Sequence, residues 1–273
     1  MYICPRQIKM LFIINMTMII ESLENPKIKN IVKLRESSRQ RQERALFLIE
    51  GYREIGLALR AGVQIENLFY SPGYIKRGPA IEEEKIIEVS KKVFSKISYR
   101  EKPDGFLAVA KIKDKKLADL KLSANPLLVV LEAVEKPGNL GAILRTADAA
   151  GADAVIINDA KTDIYSPNVI RASQGTVFTI AAILSSAAET IEFCKNNKIR
   201  IFAATPEAKK EYTHVDYKEA RAIVMGAEDK GLSQAWLEAA DEKIKIKMRG
   251  KIDSLNVSVS AAVILFEALR QRN

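Results

Sequence analysis

The run Leu127-Leu128-Val129-Val130-Leu131-Glu132-Ala133-Val134, followed by Glu135-Lys136-Pro137-Gly138-Asn139-Leu140-Gly141-Ala142-Ile143-Leu144-Arg145-Thr146, decides how this chain folds. The first part is apolar without alternation and rich in Val and Leu, as in a strand buried on both faces. Pro137-Gly138 breaks it. Asn139 then stands where a helix N-cap belongs, ahead of Leu140, Ile143, Leu144 and Ala147 at helical spacing. Strand, glycine-containing turn and helix make the repeating unit of an α/β sheet, and that junction lies at the carboxyl end of the strand, where ligands bind. Arg145 falls off the apolar stripe, on the helix face of Gly141 and Asp148. It either pairs with Asp148 on a solvated face or offers a cation to the turn. Asp159 ends the next strand about 20 residues on, where the ribose-binding acid of a dinucleotide site would stand. The turn, however, is Gly138-x-x-Gly141 and lacks the glycine pattern of that fold.

Downstream, apolar strands alternate with helical patterns. Strands are expected at Ala154–Asn158, Val177–Ile180, Arg200–Thr205, Ala222–Gly226 and Lys243–Lys247, which predicts a mostly parallel sheet with helices on both faces. Upstream, Asn25 to Arg44 carries Lys27, Lys29, Lys33, Arg35, Arg39, Arg41 and Arg44 on a partial helical stripe of Ile28, Ile31, Val32 and Leu34, leading into a mobile Ser37-Ser38 segment. Cations at that density can follow a phosphate backbone, or simply solvate a helix laced with Glu36 and Glu43. A strand at Ala45–Ile49, a helix after Gly51, a strand at Asn67–Tyr70, a helix at Glu82–Lys92 and a strand at Gly105–Ile112 complete a smaller α/β domain. Lys111–Lys116 adds a basic patch, and Lys121–Pro126 is the expected linker. The organisation predicted is an extension over residues 1–19, a substrate-binding domain over 20–120 and a second domain over 126–273.

Composition limits the chemistry. With 48% hydrophobic and 28% charged residues the chain can bury a real core. Its net charge of +9 is uneven: residues 1–120 hold 23 Lys and Arg against 15 Asp and Glu, whereas residues 121–273 hold 20 against 19. The basic bias of the first half points to a nucleic-acid or other anionic partner. Cys4 and Cys194 are too few for a zinc cluster or a disulfide framework. His214 is the sole histidine, placed in a polar stretch, which excludes a Ser-His-Asp triad or a multi-histidine metal site; no metal is expected. Residues 1–20 combine Arg6 and Lys9 with the interrupted apolar run Met10 to Ile14, too short to span a membrane and without a cleavage site. They are expected to be an upstream extension, with translation starting at Met16 or Met18, and the protein to be cytoplasmic.

Two further turns repeat the strand-to-loop pattern. Met225-Gly226-Ala227-Glu228-Asp229-Lys230-Gly231-Leu232-Ser233 runs from a strand through two acids to Ser233, a helix cap. Ile246-Lys247-Met248-Arg249-Gly250-Lys251-Ile252-Asp253-Ser254-Leu255-Asn256-Val257-Ser258 runs from a strand through a polar loop into a long helix. Gly226 is placed to let backbone approach a ligand. Glu228 can accept from a ribose or fix an arginine, and Ser254 and Asn256 can be helix caps.

Taken together, Asn139-x-Gly141-x-x-x-Arg145, Met225-Gly226-Ala227-Glu228-x-x-Gly231-Leu232-Ser233 and Ser254-Leu255-Asn256-Val257-Ser258 resemble the three ordered motifs of the SpoU (TrmH) family of RNA ribose 2′-O-methyltransferases, within the SPOUT superfamily. The match covers about residues 126 to 272, and Arg171-Ala172-Ser173-x-Gly175 is similar to the family too. The segment from Ala45 to Gly51 onward resembles the family's amino-terminal substrate-binding module. The resemblance implies a trefoil-knotted α/β domain, a homodimer formed through it, S-adenosylmethionine as cofactor, and methyl transfer to RNA, with ribosomal RNA favoured over transfer RNA. By motif matching it implies a catalytic set of Asn139, Arg145, Glu228, Ser254 and Asn256. It implies cofactor contacts from Thr205, Gly226, Gly231, Ile246, Met248 and Leu255, and RNA contacts from Lys33, Arg35, Arg39, Arg41, Arg53 and Arg171. Lys247 departs from the proline the family often carries there. Arg145 is either an unusually tuned base or a cation that stabilises the developing alkoxide. The alternative from another class is a catalytically silent RNA- or ribosome-binding module; a nucleotide-dependent oxidoreductase lacks its glycine signature.

Overall fold

A computed structural model describes residues 19–74 and 81–273, so the expected extension lies, apart from Ile19, outside the described residues. Contacts divide the chain into two compact units. One comprises Val63–Lys111 and the chain up to Leu59; the other comprises Ile112–Asn273 with Arg60–Gly62.

In the first unit, helix α1 (Pro26–Glu36) starts from Asn25, whose side chain accepts from the Lys27 N–H, and turns Ile28, Ile31 and Leu34 into the core. Ser37 ends it and, by accepting from the Gln40 N–H at 3.3 Å, opens α2 (Ser38–Arg44). Strand β1 (Leu46–Glu50), helix α3 (Tyr52–Arg60), strands β2 (Ile65–Tyr70) and β3 (Ile86–Glu88), helix α4 (Lys91–Ile97) and strand β4 (Phe106–Lys111) follow. They build a sheet in the order β1-β4-β2-β3, with β4 antiparallel to both neighbours. The helix expected over Glu82–Lys92 is replaced by a strand and a later helix. Ile86, Ile87 and Val89 are β-branched and favour the pleated edge beside β2. Ser90 then caps α4 by taking the Val93 N–H.

The second unit holds β5 (Leu127–Glu132), α5 (Pro137–Ala149), β6 (Ala154–Asn158), α6 (Pro167–Ala172), α7 (Thr176–Thr179), β7 (Ala181–Leu184), α8 (Ala187–Asn196), β8 (Arg200–Ala204), β9 (Lys210–Glu211), β10 (Arg221–Met225), α9 (Gln234–Ala239), β11 (Glu242–Lys245) and α10 (Val257–Arg272). Seven strands lie in the order β7-β6-β5-β10-β8-β11-β9, and every pairing is parallel. Both faces of β5, β6 and β10 are buried, which is why those strands are continuous apolar runs. Leu128, Val130, Ile156, Ile201, Val224 and Trp236 share one core, and Leu117, Leu120 and Leu122 pack on it. The residues just before the expected linker therefore belong to this unit. From β5 the chain first moves outward through β6 to β7, then returns to the other side of β5. The switch point lies between β5 and β10.

Two sequence expectations change here. Val177–Ile180 lies largely in a helical turn, because Gln174 and Gly175 take φ of 52° and 85° and the Thr176 hydroxyl donates to the Ser173 carbonyl. The strand begins only at Ala181. Helix α5 begins earlier than expected: Lys136 is its N-cap and Pro137 its first residue, where a fixed φ and a missing N–H suit a helix start. Asn139 sits in the first turn, and its side chain is free for other work.

Gly141 serves packing. A Cβ there would meet the Ala172 side chain and lie 2.8 Å from the Ser173 nitrogen, so the glycine is what lets α5 press on α6. Gly141→Ala is therefore expected to cost about 1–3 kcal/mol, seen as a lower urea midpoint with an unchanged slope. A midpoint equal to wild type would show that α6 yields to the methyl group at no cost.

Candidate active site

Parallel strands bring their carboxyl ends to one edge. At that edge, the start of α5 after β5 carries Lys136 and Asn139, and the turn after β10 carries Glu228. The segment after β11 leads to Asn256, the N-cap of α10. These residues, remote in sequence, meet on one carboxylate. Glu228 Oε1 accepts from Asn139 Nδ2 and from Asn256 Nδ2, each at 2.7 Å. Asn256 Nδ2 also donates to Asn139 Oδ1 at 3.2 Å. On the other side, Lys136 Nζ donates to Glu228 Oε2. Asn256 Oδ1 accepts from the Ser258 N–H at 3.0 Å and from its hydroxyl at 2.6 Å, which fixes which way the amide points.

The turn that presents Glu228 closes on itself. The Ala227 N–H donates to the Gly231 carbonyl at 3.1 Å, and the Gly231 N–H returns the bond at 3.0 Å. A Cβ at Gly226 would run into the Gly231 carbonyl and come within 2.6 Å of the Leu232 nitrogen. Gly226 thus makes room for its own chain, a stronger demand than the ligand approach inferred from the sequence. Gly231 has φ of 64°, in the left-handed region that favours glycine. Glu132 at the end of β5 accepts from the Ser233 N–H at 2.7 Å and ties the far side of the turn to the sheet.

Of the five residues expected to be catalytic, Asn139, Glu228 and Asn256 are hydrogen-bonded together. Ser254 is exposed, with a 3.5 Å contact to Asp253 and no bond into the cluster. Arg145 is exposed on α5 and has no hydrogen bond or ion pair among the described residues. Its expected alternative partner, Asp148, accepts instead from the Thr179 hydroxyl. Lys136 and Glu132 were not singled out from the sequence. The available signal was Lys136 immediately before a proline at a helix start, a position that usually favours a small polar residue.

The residues expected to hold a cofactor lie along the same edge. Thr205, Gly226 and Ile246 directly follow β8, β10 and β11, three neighbouring strands. The Thr205 N–H donates to the Ile244 carbonyl at 2.9 Å. Ile246, Met248 and Leu255 are half-buried in a segment outside any helix or ladder, leaving main-chain donors and acceptors beside apolar side chains. That donor set fits a nucleoside read by backbone and gripped by aliphatic groups.

The expected RNA contacts divide. Lys33, Arg39, Arg53 and Arg171 are exposed, Arg39 paired with Glu43 at 2.6 Å. Arg41 departs from the expectation: it is 4% exposed and donates to the Leu34 and Arg35 carbonyls at 2.6 and 3.3 Å. Arg35 likewise donates to the Lys96 and Ser98 carbonyls at 2.8 and 3.1 Å. Both are held by the fold at the α1–α2 junction and the end of α4.

A model of the SpoU rRNA Methylase family matches residues 126–266, and one of the MRM3-like substrate binding domain matches residues 25–108. Over 257 residues the chain is 29% identical to the 23S rRNA (guanosine(2553)-2′-O)-methyltransferase RlmP of Bacillus subtilis strain 168, an alignment spanning 90% of this chain and 97% of that protein. It is similar to a solved RNA 2′-O ribose methyltransferase at a TM-score of 0.80 and 41% identity, over 93% of this chain and 99% of that one. An AdoMet-bound rRNA methyltransferase from Sinorhizobium meliloti gives a TM-score of 0.83 and 30% identity, over 92% and 97%.

The hydrogen bond from the Lys136 ammonium, opposed in part by burial and helped by the Asn139 amide, holds the Glu228 carboxyl below the usual carboxylate range. A depressed folded-state value makes this contribution complete above an unfolded value near about 4.3 and lost as pH falls through the lower folded value. Because the side chain is 32% exposed, solvent screening keeps the effect to about 1 kcal/mol or less. The melting-temperature gap between wild type and Glu228→Gln is expected to be present near neutrality and to shrink on acidification to about pH 3. A gap that stays constant would show that the carboxylate charge adds nothing.

Proposed function

Because the chain belongs to the SpoU rRNA methylase family, we propose that it transfers a methyl group from S-adenosylmethionine to a ribose 2′-hydroxyl of ribosomal RNA. The observation that carries this reading is the convergence of Asn139 and Asn256 on the Glu228 carboxylate at the switch point of a parallel sheet. When bound, S-adenosylmethionine supplies a methyl group on a sulfonium, electrophilic without further activation. The chain's own residues then have two tasks: to hold the 2′-hydroxyl in line with that methyl, and to absorb the negative charge that grows on the oxygen. Holding reacting atoms about 3–3.5 Å apart and aligned contributes roughly 7–11 kcal/mol to such a step.

Main chain around Gly226, Ile246 and Leu255, with Thr205, Gly231 and Met248, holds the nucleoside end of the cofactor. Asn139, Glu228 and Asn256 form the fixed polar edge beside it, and Ser254 lines the approach. Arg145 supplies the cation. A guanidinium carries only donors and no acceptor, so it suits a charge-stabilising role better than that of a base. It therefore stabilises the developing alkoxide, while a substrate phosphate or water takes the proton. Lys33, Arg39, Arg53 and Arg171 provide exposed cations for the RNA backbone. The reading extends to a trefoil knot in the carboxyl-terminal unit, a homodimer through that unit, and work in the cytoplasm, where ribosomal RNA is the substrate. Among the described residues no helix is long and apolar enough to cross a membrane.

The test is transfer of labelled methyl from S-adenosylmethionine to ribosomal and transfer RNA from cells that lack this protein. Wild type is expected to label ribosomal RNA. Arg145→Ala should lose about 10²–10³-fold in rate, as for removal of one oxyanion donor, with cofactor affinity retained. Tight RNA and cofactor binding by wild type without any transfer would favour the silent binding module.

A further inference from the structure

Lys136 breaks a local rule. N-cap positions favour Asn, Asp, Ser or Thr, whose side-chain oxygen accepts a free N–H of the first turn, and a cation there opposes the helix dipole. Lys136 has the extended N-cap backbone and makes no side-chain cap bond. Its Nζ reaches across to Glu228 Oε2 instead. The two remaining acceptances that define the cluster both fall on the other oxygen, Oε1. A residue that weakens its own helix start while holding the hub of a site marks a functional constraint more than a stabilising one.

We propose that Lys136 is a positioning residue for methyl transfer: its ammonium anchors Oε2 of Glu228, so that Oε1 stays turned to the amides of Asn139 and Asn256. The inference rests on the function proposed above. Without the anchor the carboxylate can rotate about its terminal torsion, and no fixed oxygen is held toward the two amides. The charged groups acting on this pair are Lys136 and Glu228 themselves and, on Lys136, Glu135. An amine with 69% of its side chain exposed gives little stability through such a pair, so its value lies in orientation.

The experiment compares Lys136→Ser, Lys136→Arg, Glu228→Gln and the double variant Lys136→Ser/Glu228→Gln, each assayed for kcat, KM for RNA, the pH profile of kcat and melting temperature. Lys136→Ser restores a good N-cap, so its melting temperature should equal or exceed that of wild type. Its kcat should fall about 10- to 100-fold, the cost of a misplaced catalytic group, with KM for RNA within about twofold. The acid limb of its pH profile should move to higher pH, because Glu228 loses the cation that favours its ionised form. Lys136→Arg should recover most of the rate. Adding Lys136→Ser to Glu228→Gln should change nothing further, since contacting residues that act as a unit are not additive. Wild-type kcat in Lys136→Ser would overturn the inference, as would a lower melting temperature with kcat retained, which marks a purely structural pair. A loss confined to KM for RNA would reassign Lys136 to the RNA backbone and overturn it as well. Absence of transfer by wild type would instead remove the functional reading beneath it.

Discussion

One carboxylate oxygen accepting two amides holds the carboxyl-terminal unit's site together. Glu228 Oε1 takes Asn139 from 89 residues upstream and Asn256 from 28 residues downstream. Such an arrangement needs three strand ends at one edge, and only parallel pairing, with every crossover returning the chain to the same side, delivers them there. The order β6-β5-β10-β8-β11 then sets Asn139 and Glu228 just past the ends of the adjacent strands β5 and β10, with the segment after β11 reaching back to close the triad. The turn geometry is equally strict: without room for a side chain at Gly226, the Ala227–Gly231 pairing forms and aims Glu228 at its partners.

Much of this was legible from residue pattern because the governing forces are local or periodic. Strands β5, β6, β8 and β10 are buried on both faces, so they announce themselves as apolar runs. Glycines at strand ends announce turns. Three motifs in order mark Asn139, Arg145, Glu228, Ser254 and Asn256 as one cluster, of which Asn139, Glu228 and Asn256 are hydrogen-bonded together. What the pattern does not carry depends either on contacts distant in sequence or on the backbone conformation of a neighbouring turn. Ile86 to Val89 carries spacing compatible with a helix, but a vacant edge beside β2 decides for strand. Val177 and its neighbours have strand propensity, overridden by two left-handed residues just ahead of them. Lys136 has no periodic role at all, and its meaning lies in Glu228, which no local pattern connects to it.

Charge density was a blunter guide than apolar pattern. The cations of α1 and α2 look alike in the sequence, yet Arg41 is buried and saturates carbonyls at the helix junction, whereas Lys33 and Arg39 face solvent. A guanidinium offers five donors in a planar fork, enough to satisfy several free carbonyls at once, so a fold can claim it where a lysine would be a poorer fit. The surplus charge of the first unit is thus partly structural, and the surface left for an RNA backbone is smaller than a count of basic residues implies. Arg145 shows the reverse: Asp148, the partner its spacing suggests, accepts from Thr179, and Arg145 stands exposed with no ion pair among the described residues.

The most direct measurement is the chemical position of the transferred methyl group. Ribosomal RNA labelled by this protein from S-adenosylmethionine, digested with alkali, should release the label in alkali-resistant dinucleotides, because methylation of a 2′-oxygen removes the nucleophile that cleaves the adjoining phosphodiester. Label recovered in ordinary mononucleotides would place the methyl on a base and contradict a site built to receive a ribose hydroxyl.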